Sequence, residues 1–210
     1  MRAGKSSESY TVPELDLPTG FVAALQDLTL WLDAERVPYV LIGGVSVSLL
    51  AQPRATQDID LTVWLEQEDW EGFFRAGESY GFVPRLGDAL AFAATSRVLL
   101  LRHQQSGVSV DLTFGALEFE REMIARATTF EIAGLSLKLP TPEDLIVTKA
   151  VAQRSKDTAD IESVLAACAS LDVDRVRRLT AEFAAMLDAP EISDNLESLL
   201  RHRLLTDDKS

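Results

Sequence analysis

Residues 40–65 read VLIGGVSVSLLAQPRATQDIDLTVWL. Their order of apolar run, paired glycines, short helix, polar loop and alternating strand decides how the rest of the chain is understood. Asp58 and Asp60 stand two apart in an alternating run, so on a strand both carboxylates leave one face, with Cα atoms about 6.5 Å apart. Ile59, Leu61, Val63 and Leu65 form an apolar row on the other face, for the core. Two carboxylates at that spacing can converge on one or two divalent cations. Gly43 and Gly44 directly precede a helix, whose first backbone N–H groups lack partners and carry the positive end of the helix dipole. That is a seat for phosphates, and Ser46 in the first turn adds a hydroxyl donor. A lone strand aspartate more often faces solvent, and most Gly-Gly pairs are only turns. Here strand, turn, helix, loop and strand bring the glycines and both aspartates to one end of neighbouring strands.

Outward from this stretch, Pro13 and Pro18 punctuate a polar segment, so residues 1–18 are expected to be a loose arm. Phe21, Leu25, Leu28 and Leu32 recur at helical spacing, giving a helix from Thr19 to about Arg36 that Pro38 ends. Beyond the aspartates, Glu68 to Ser79 reads as a helix, and Gly81 and Pro84 mark a turn into irregular structure. Leu86 to Thr95 fits helix or strand equally. Arg97 to Arg102 is a buried strand, Gln104 to Gly107 a hairpin turn, and Val108 to Phe114 its partner. In that partner Val108, Val110, Leu112 and Phe114 alternate with polar residues, so Asp111 lies on the polar face, placed as Asp58 and Asp60 are. A helix at Leu117 to Ala127 and strands at Thr129 to Ile132 and Leu135 to Leu139 follow. Thr141, Pro142 and Asp144 then make a strong helix start. Only helical periods continue to Leu205, broken near Ser155, Leu171 and Pro190. The expected architecture is α/β (α+β): a small mixed sheet with flanking helices over residues 19–139, a helical part over 140–205, and a tail at 206–210.

With 210 residues, 47% of them hydrophobic, the chain can bury a substantial core. No uncharged apolar run reaches the ~18 residues of a membrane span, and the N-terminus lacks the apolar centre of a signal peptide. A cytoplasmic location away from any membrane is therefore expected. Cys168 is the one cysteine, and the two histidines, His103 and His202, are far apart. A metal would have to be held by oxygen ligands, which favours magnesium or manganese. His103 and Cys168 have no partner at catalytic spacing and read as incidental. The net charge of −13 argues against a broad electropositive surface for duplex nucleic acid. A local basic patch remains open at Lys149, Arg154 and Lys156, or at Arg175, Arg177 and Arg178. The Gly4-Lys5-Ser6 run stands in the polar N-terminal segment and not in a Walker-type strand–loop–helix setting, and there is no His-Arg-Asp run of a kinase.

The pattern Ile42, Gly43, Gly44, Ser46, then Asp58, Ile59, Asp60 resembles the signature of the polymerase β-like nucleotidyltransferases. That superfamily places a third carboxylate on a later strand, where Asp111 stands in VSVDLTF. The motif RATQDIDL, from Arg54, with the later TPEDLIVTKAVAQRSKDTADI, resembles the branch of AbiEii-type toxins and related uncharacterised bacterial proteins. The shortness of the chain and Thr62, Val63 and Trp64 directly after the aspartate pair depart from that branch. The resemblance implies a nucleotidyltransferase fold and metal-dependent transfer of a nucleoside monophosphate from a triphosphate to a hydroxyl. The acceptor would be an RNA end, a protein or a small molecule, and the toxin branch adds an antitoxin partner. Asp58, Asp60 and Asp111 would hold Mg2+ or Mn2+ and carry catalysis, and Gly43, Gly44 and Ser46 would hold the triphosphate's phosphates.

Leu145, Lys149, Ala152 and Lys156 fall on one helical face, so Lys149 is expected either to point at the triphosphate or to face solvent. Lys156 is expected either to point at the triphosphate or, at least as readily, to pair with Asp160 at i+4, and Asp157 and Asp160 read as helix-start and salt-bridge residues. Arg54 is expected to be a phosphate or acceptor contact by position, or a loop arginine with no specific role. The competing expectation is a catalytically degenerate nucleotide-binding or protein-interaction module of the same fold.

Overall fold

The computed structural model describes residues 17–53 and 56–207, with side chains described as far as Arg203. Arg54 and most of the expected N-terminal arm lie outside the described residues. Helix α1 (Thr19–Ala34) precedes β1 (Tyr39–Ile42), α2 (Gly43–Leu50) and β2 (Asp58–Val63). A 3-10 turn at Gln67–Asp69 leads into α3 (Trp70–Glu78), followed by β3 (Phe82–Pro84), α4 (Ala89–Ser96), β4 (Val98–His103) and β5 (Ser109–Phe114). Helix α5 (Glu118–Arg126) and the hairpin β6 (Thr128–Ile132) and β7 (Leu135–Leu139) lead to four helices: α6 (Pro142–Ala152), α7 (Asp157–Ala167), α8 (Val173–Leu187) and α9 (Glu191–Asp207).

The main sheet has the order β1-β2-β5-β4-β3. It is mixed: β2 and β5 run parallel, and the other pairs are antiparallel. In the parallel pair Asp60 is the register partner of Asp111 and Thr62 of Thr113. Ile59, Leu61, Val63, Val110, Leu112 and Phe114 occupy the opposite face, each with no exposed surface. Aromatic contacts with α1 and α3 close that face: Trp31 stacks on Phe73 at 4.3 Å, and Trp70 on Phe114 at 3.9 Å. Both aspartate-bearing strands are thus clamped from behind, which holds their polar faces rigid. The core runs on through Leu145, Ile146, Ile161 and Leu196 of the C-terminal helices, so sheet and helical part share one apolar cluster across residue 140.

Four local expectations change. Strand β3 occupies residues read as irregular: three residues show no alternation, and Pro84 is tolerated because β3 is an edge strand. Residues 89–96, ambiguous in sequence, are helical and end at Arg97, whose φ of 58° stops the helix. Helix α6 ends at Ala152 because Gln153 is left-handed at φ 48°, so Lys156 leaves the face of Lys149 and becomes the N-cap of α7. In the expected tail, Thr206 and Asp207 belong to α9. The start of α6 is as expected, with Thr141 Oγ1 accepting from the Asp144 amide and Pro142 in the first turn. No described helix is long and apolar enough to cross a membrane.

Candidate active site

Asp60 leaves the middle of β2 toward the start of α2. Gly43 opens that helix at φ +71°, and a Cβ placed on it would stand 2.0 Å from Asp60 Oδ2. Only glycine meets both conditions, so this turn fixes where the carboxylate lies. Asp111, beside it on β5, is paired with Arg85, whose own backbone amide donates to Leu100 O at 2.9 Å and extends the ladder of β3. Leu100 is the register partner of Asp111, so Arg85 reaches across one strand to the carboxylate. Asp58 starts β2 and is exposed.

The facing wall comes from α6 and the turn after it. A cleft of about 300 Å3 is lined by Gly43, Asp60, Val98, Asp111, Lys149 and Arg154, among others. Lys149 is 3% exposed, and its Nζ donates to Asp160 Oδ2 at 2.7 Å and Asp157 Oδ1 at 3.2 Å. Arg154, half exposed, donates to the same Asp157 from Nε at 3.0 Å, and its backbone amide does so at 2.9 Å. Asp157 is therefore the hub that ties the start of α7 to both cations. Asp160 serves Lys149, not only its own helix.

The electrostatics match a crowded anionic centre. Burial first, then the Asp111 and Asp58 carboxylates, push the Asp60 carboxyl above the ordinary aspartate range, while Arg154 and Lys149 draw it partly back. Hydrogen bonding to Asp157 is the largest influence on Arg154, and despite partial burial it holds that guanidinium more firmly charged, with Asp60 adding to the effect.

The expected site residues thus separate. Asp60, Asp111, Gly43 and Lys149 meet in one cleft. Ser46 is fully buried and donates to Leu41 O at 2.8 Å, tying α2 to β1 behind the cleft rather than lining it. Two residues, Arg154 in the cleft lining and Arg85 paired with Asp111, were not singled out from sequence as site residues. Arg154 had been placed only in a basic cluster, although its position before the α7 cap at Asp157 is a signal. Arg85 carried no signal, because its strand is too short to be recognised. His103 also differs from expectation: it is 2% exposed, with Nε2 3.0 Å from Asp27 Oδ2 and Nδ1 2.8 Å from Ser106 Oγ. The trio pins α1 to the β4–β5 turn.

Among the described residues no group of three or more His, Cys, Asp or Glu side chains is gathered as a metal cage. The donor set nevertheless fits a hard cation. Asp60 and Asp111 are register partners about 4.8 Å apart on adjacent strands, Asp58 lies two residues back, and Asp60 bears the mutual repulsion that a cation relieves.

Over residues 22–198 the chain matches the family described as "Nucleotidyl transferase of unknown function (DUF2204)". The chain belongs to this nucleotidyl transferase family. Its fold is that of solved nucleotidyltransferases. It is similar to the solution structure of the antibiotic-resistance factor ANT(2'')-Ia at 18% identity and a TM-score of 0.57, covering 83% of this chain and 97% of that one. It is also similar to ANT(2'')-Ia crystallised with adenylyl-2''-tobramycin, at 22% identity and a TM-score of 0.50, covering 79% and 98%. A third neighbour is the lincosamide antibiotic adenylyltransferase LnuA with lincomycin bound, at 13% identity and a TM-score of 0.50, covering 70% and 97%. At these identities the likeness establishes the shared fold. No curated protein matches the chain. The family's description includes no toxin role, so the toxin branch and its antitoxin remain with the sequence resemblance alone.

Proposed function

We propose that this nucleotidyl transferase moves a nucleoside monophosphate from a triphosphate to a hydroxyl of a small-molecule acceptor. The observation that carries this reading is the register pairing of Asp60 with Asp111 directly opposite Lys149 and Arg154 across one cleft. Asp58, Asp60 and Asp111 are the residues to hold magnesium or manganese. A bound magnesium ion supplies positive charge against the α-phosphate and makes the acceptor hydroxyl more acidic. The amides of Gly43 and Gly44 receive the phosphates at the start of α2. Arg154 supplies the accessible guanidinium on the opposite wall, held in place by Asp157. Asp111 takes the acceptor proton as the new P–O bond forms and the bond to pyrophosphate breaks. Arg85 must release Asp111 for that role.

A small acceptor is favoured over an RNA end by the overall charge of −13, and the solved neighbours of the same fold hold small antibiotics or their adducts. A second reading, a nucleotide-binding module without turnover, is favoured by one observation: Arg85 already occupies Asp111. Incubation with each α-labelled triphosphate, magnesium and a panel of hydroxyl compounds separates the two. Labelled product with release of pyrophosphate supports transfer, and triphosphate binding without either supports the module.

A further inference from the structure

A second cavity, of about 210 Å3, adjoins the carboxylate cleft. Ile42, Thr113 and Thr148 line both, so the two are continuous. The remaining wall includes Thr62 of β2, Phe119 and Met123 of α5, Val151 of α6 and Phe183 of α8. Phe119 and Phe183 meet edge to face, with ring centroids 5.3 Å apart.

Its position along the strands is directional. Thr62 follows Asp60 and Thr113 follows Asp111 on the same faces, so the cavity begins about 6.5 Å beyond the carboxylates, toward the C-terminal ends of β2 and β5. Strand β1 runs the other way and pairs Ile42 with Asp60, which puts Gly43 and the start of α2 on the N-terminal side. Attacking and departing oxygens lie roughly in line in phosphoryl transfer. If pyrophosphate leaves toward the glycines, the hydroxyl arrives from the side of Thr62 and Thr113.

The lining then says what carries that hydroxyl. Thr62 is 2% exposed, and neither its hydroxyl nor that of Thr113 bonds to another described side chain or loop. Thr113 is half-buried, and both threonines line the cavity, where their hydroxyls are open to a hydrogen bond from a ligand. Among the described lining residues Glu120 is the one with a charge, and its Oε2 is taken by the amides of Ala116 and Leu117 at 2.7 and 2.9 Å. A nucleic-acid phosphate finds no cation in this lining, and the single carboxylate already accepts two amides through one oxygen. The volume is below the ~300–1,000 Å3 of pockets for drug-sized ligands, so one ring or branched group fills it.

We propose that this cavity seats the acceptor, and that the acceptor is an uncharged small alcohol bearing one apolar ring or branched group beside the reacting hydroxyl. The proposal rests on the nucleotidyltransferase reading above. Its test uses the full chain with magnesium and each α-labelled triphosphate, offered 2-phenylethanol, cyclohexylmethanol and menthol as neutral alcohols, tobramycin as a polycation, and bulk tRNA. Triphosphate binding is followed separately by equilibrium dialysis. Two variants accompany the wild type: Val151→Trp, which fills the cavity, and the isosteric Thr113→Val.

The expected result is label on a neutral alcohol. Val151→Trp should raise the acceptor KM more than about tenfold, with triphosphate Kd within about twofold of wild type. Thr113→Val should raise the acceptor KM about five- to tenfold through the lost hydrogen bond. The proposal is overturned by preferential transfer to tobramycin or tRNA, by an unchanged acceptor KM in both variants, or by weaker triphosphate binding in Val151→Trp, which would assign the cavity to the base. A wild-type chain that binds magnesium triphosphate yet labels no neutral alcohol also overturns it. Failure to bind magnesium triphosphate at all would instead overturn the nucleotidyltransferase reading beneath it.

Discussion

Gly43 and the Asp60 carboxylate are packed so closely that no side chain fits between them: a Cβ on Gly43 would lie 2.0 Å from Oδ2 and 2.8 Å from the Cβ of Asp60. The glycine turn and the aspartate strand are therefore one device. The same residue that opens α2 also sets where the carboxylate stands.

Gly43→Ala combines a left-handed backbone with a steric clash. The backbone alone costs about 1–2 kcal/mol, and the clash displaces Asp60. Transfer should fall by at least about a hundredfold, in keeping with the sensitivity of reacting geometry to ångström shifts. Comparing the thermal midpoint with the rate of pyrophosphate release checks this, and a wild-type rate in a folded variant would count against it.

Asp60→Asn should separate stability from activity. Burial and the Asp111 and Asp58 carboxylates raise the Asp60 carboxyl, so its charged form is disfavoured by folding at neutral pH. Removing the charge should leave the metal-free chain as stable as wild type or a few degrees more so, while transfer disappears. Thermal unfolding without divalent cations reads the first outcome, and a large drop in midpoint would contradict it.

Lys149→Met leaves Asp157 and Asp160 without their buried ammonium. Breaking a buried pair on one side costs about 3–5 kcal/mol, measurable by urea unfolding. A pH series adds a second readout. Burial pushes the Asp157 carboxyl up, but hydrogen bonds from the Arg154 side chain and amide and the charge of Lys149 outweigh it, and the net displacement is downward. A lowered carboxyl contributes stability that is complete above its unfolded pKa and lost as pH falls through the folded one. Wild type should therefore hold this contribution at about pH 5 and lose it below about pH 4. A loss centred near neutral pH would refute the assignment.

Arg85→Gln removes the cation that occupies Asp111. The metal-free chain should become less stable, and the rise in thermal midpoint on adding magnesium should grow, because Asp111 then loses the guanidinium that pairs with it. An unchanged magnesium response would show that Arg85 does not compete for that carboxylate.

Much of this site was legible in the sequence because it follows local periodicity. The alternation around Asp58, Asp60 and Asp111 placed all three on polar strand faces, and the glycines before an apolar helix gave the turn. What could not be read depends on tertiary register. Arg85 meets Asp111 only because a three-residue edge strand pairs with β4. For Lys149 the sequence left two orientations open, and the structure buries it, because its partners Asp157 and Asp160 come round where Gln153 turns the chain left-handed. Ser46 looked like a ligand donor until the strand in front of it offered a carbonyl. His103 found Asp27 far away in sequence, a contact that no spacing rule anticipates.

The central claim, that the carboxylates of β2 and β5 form a nucleotidyl-transfer centre, is tested most directly by following pyrophosphate release and label transfer together in wild type and Asp60→Asn, with triphosphate, magnesium and the alcohol panel. The account predicts equimolar pyrophosphate and labelled product in wild type and a loss of at least about a thousandfold in the variant, in line with transition-state stabilisation by a bound cation. Equal rates in the two proteins, or a wild type that binds triphosphate and never releases pyrophosphate, would contradict it.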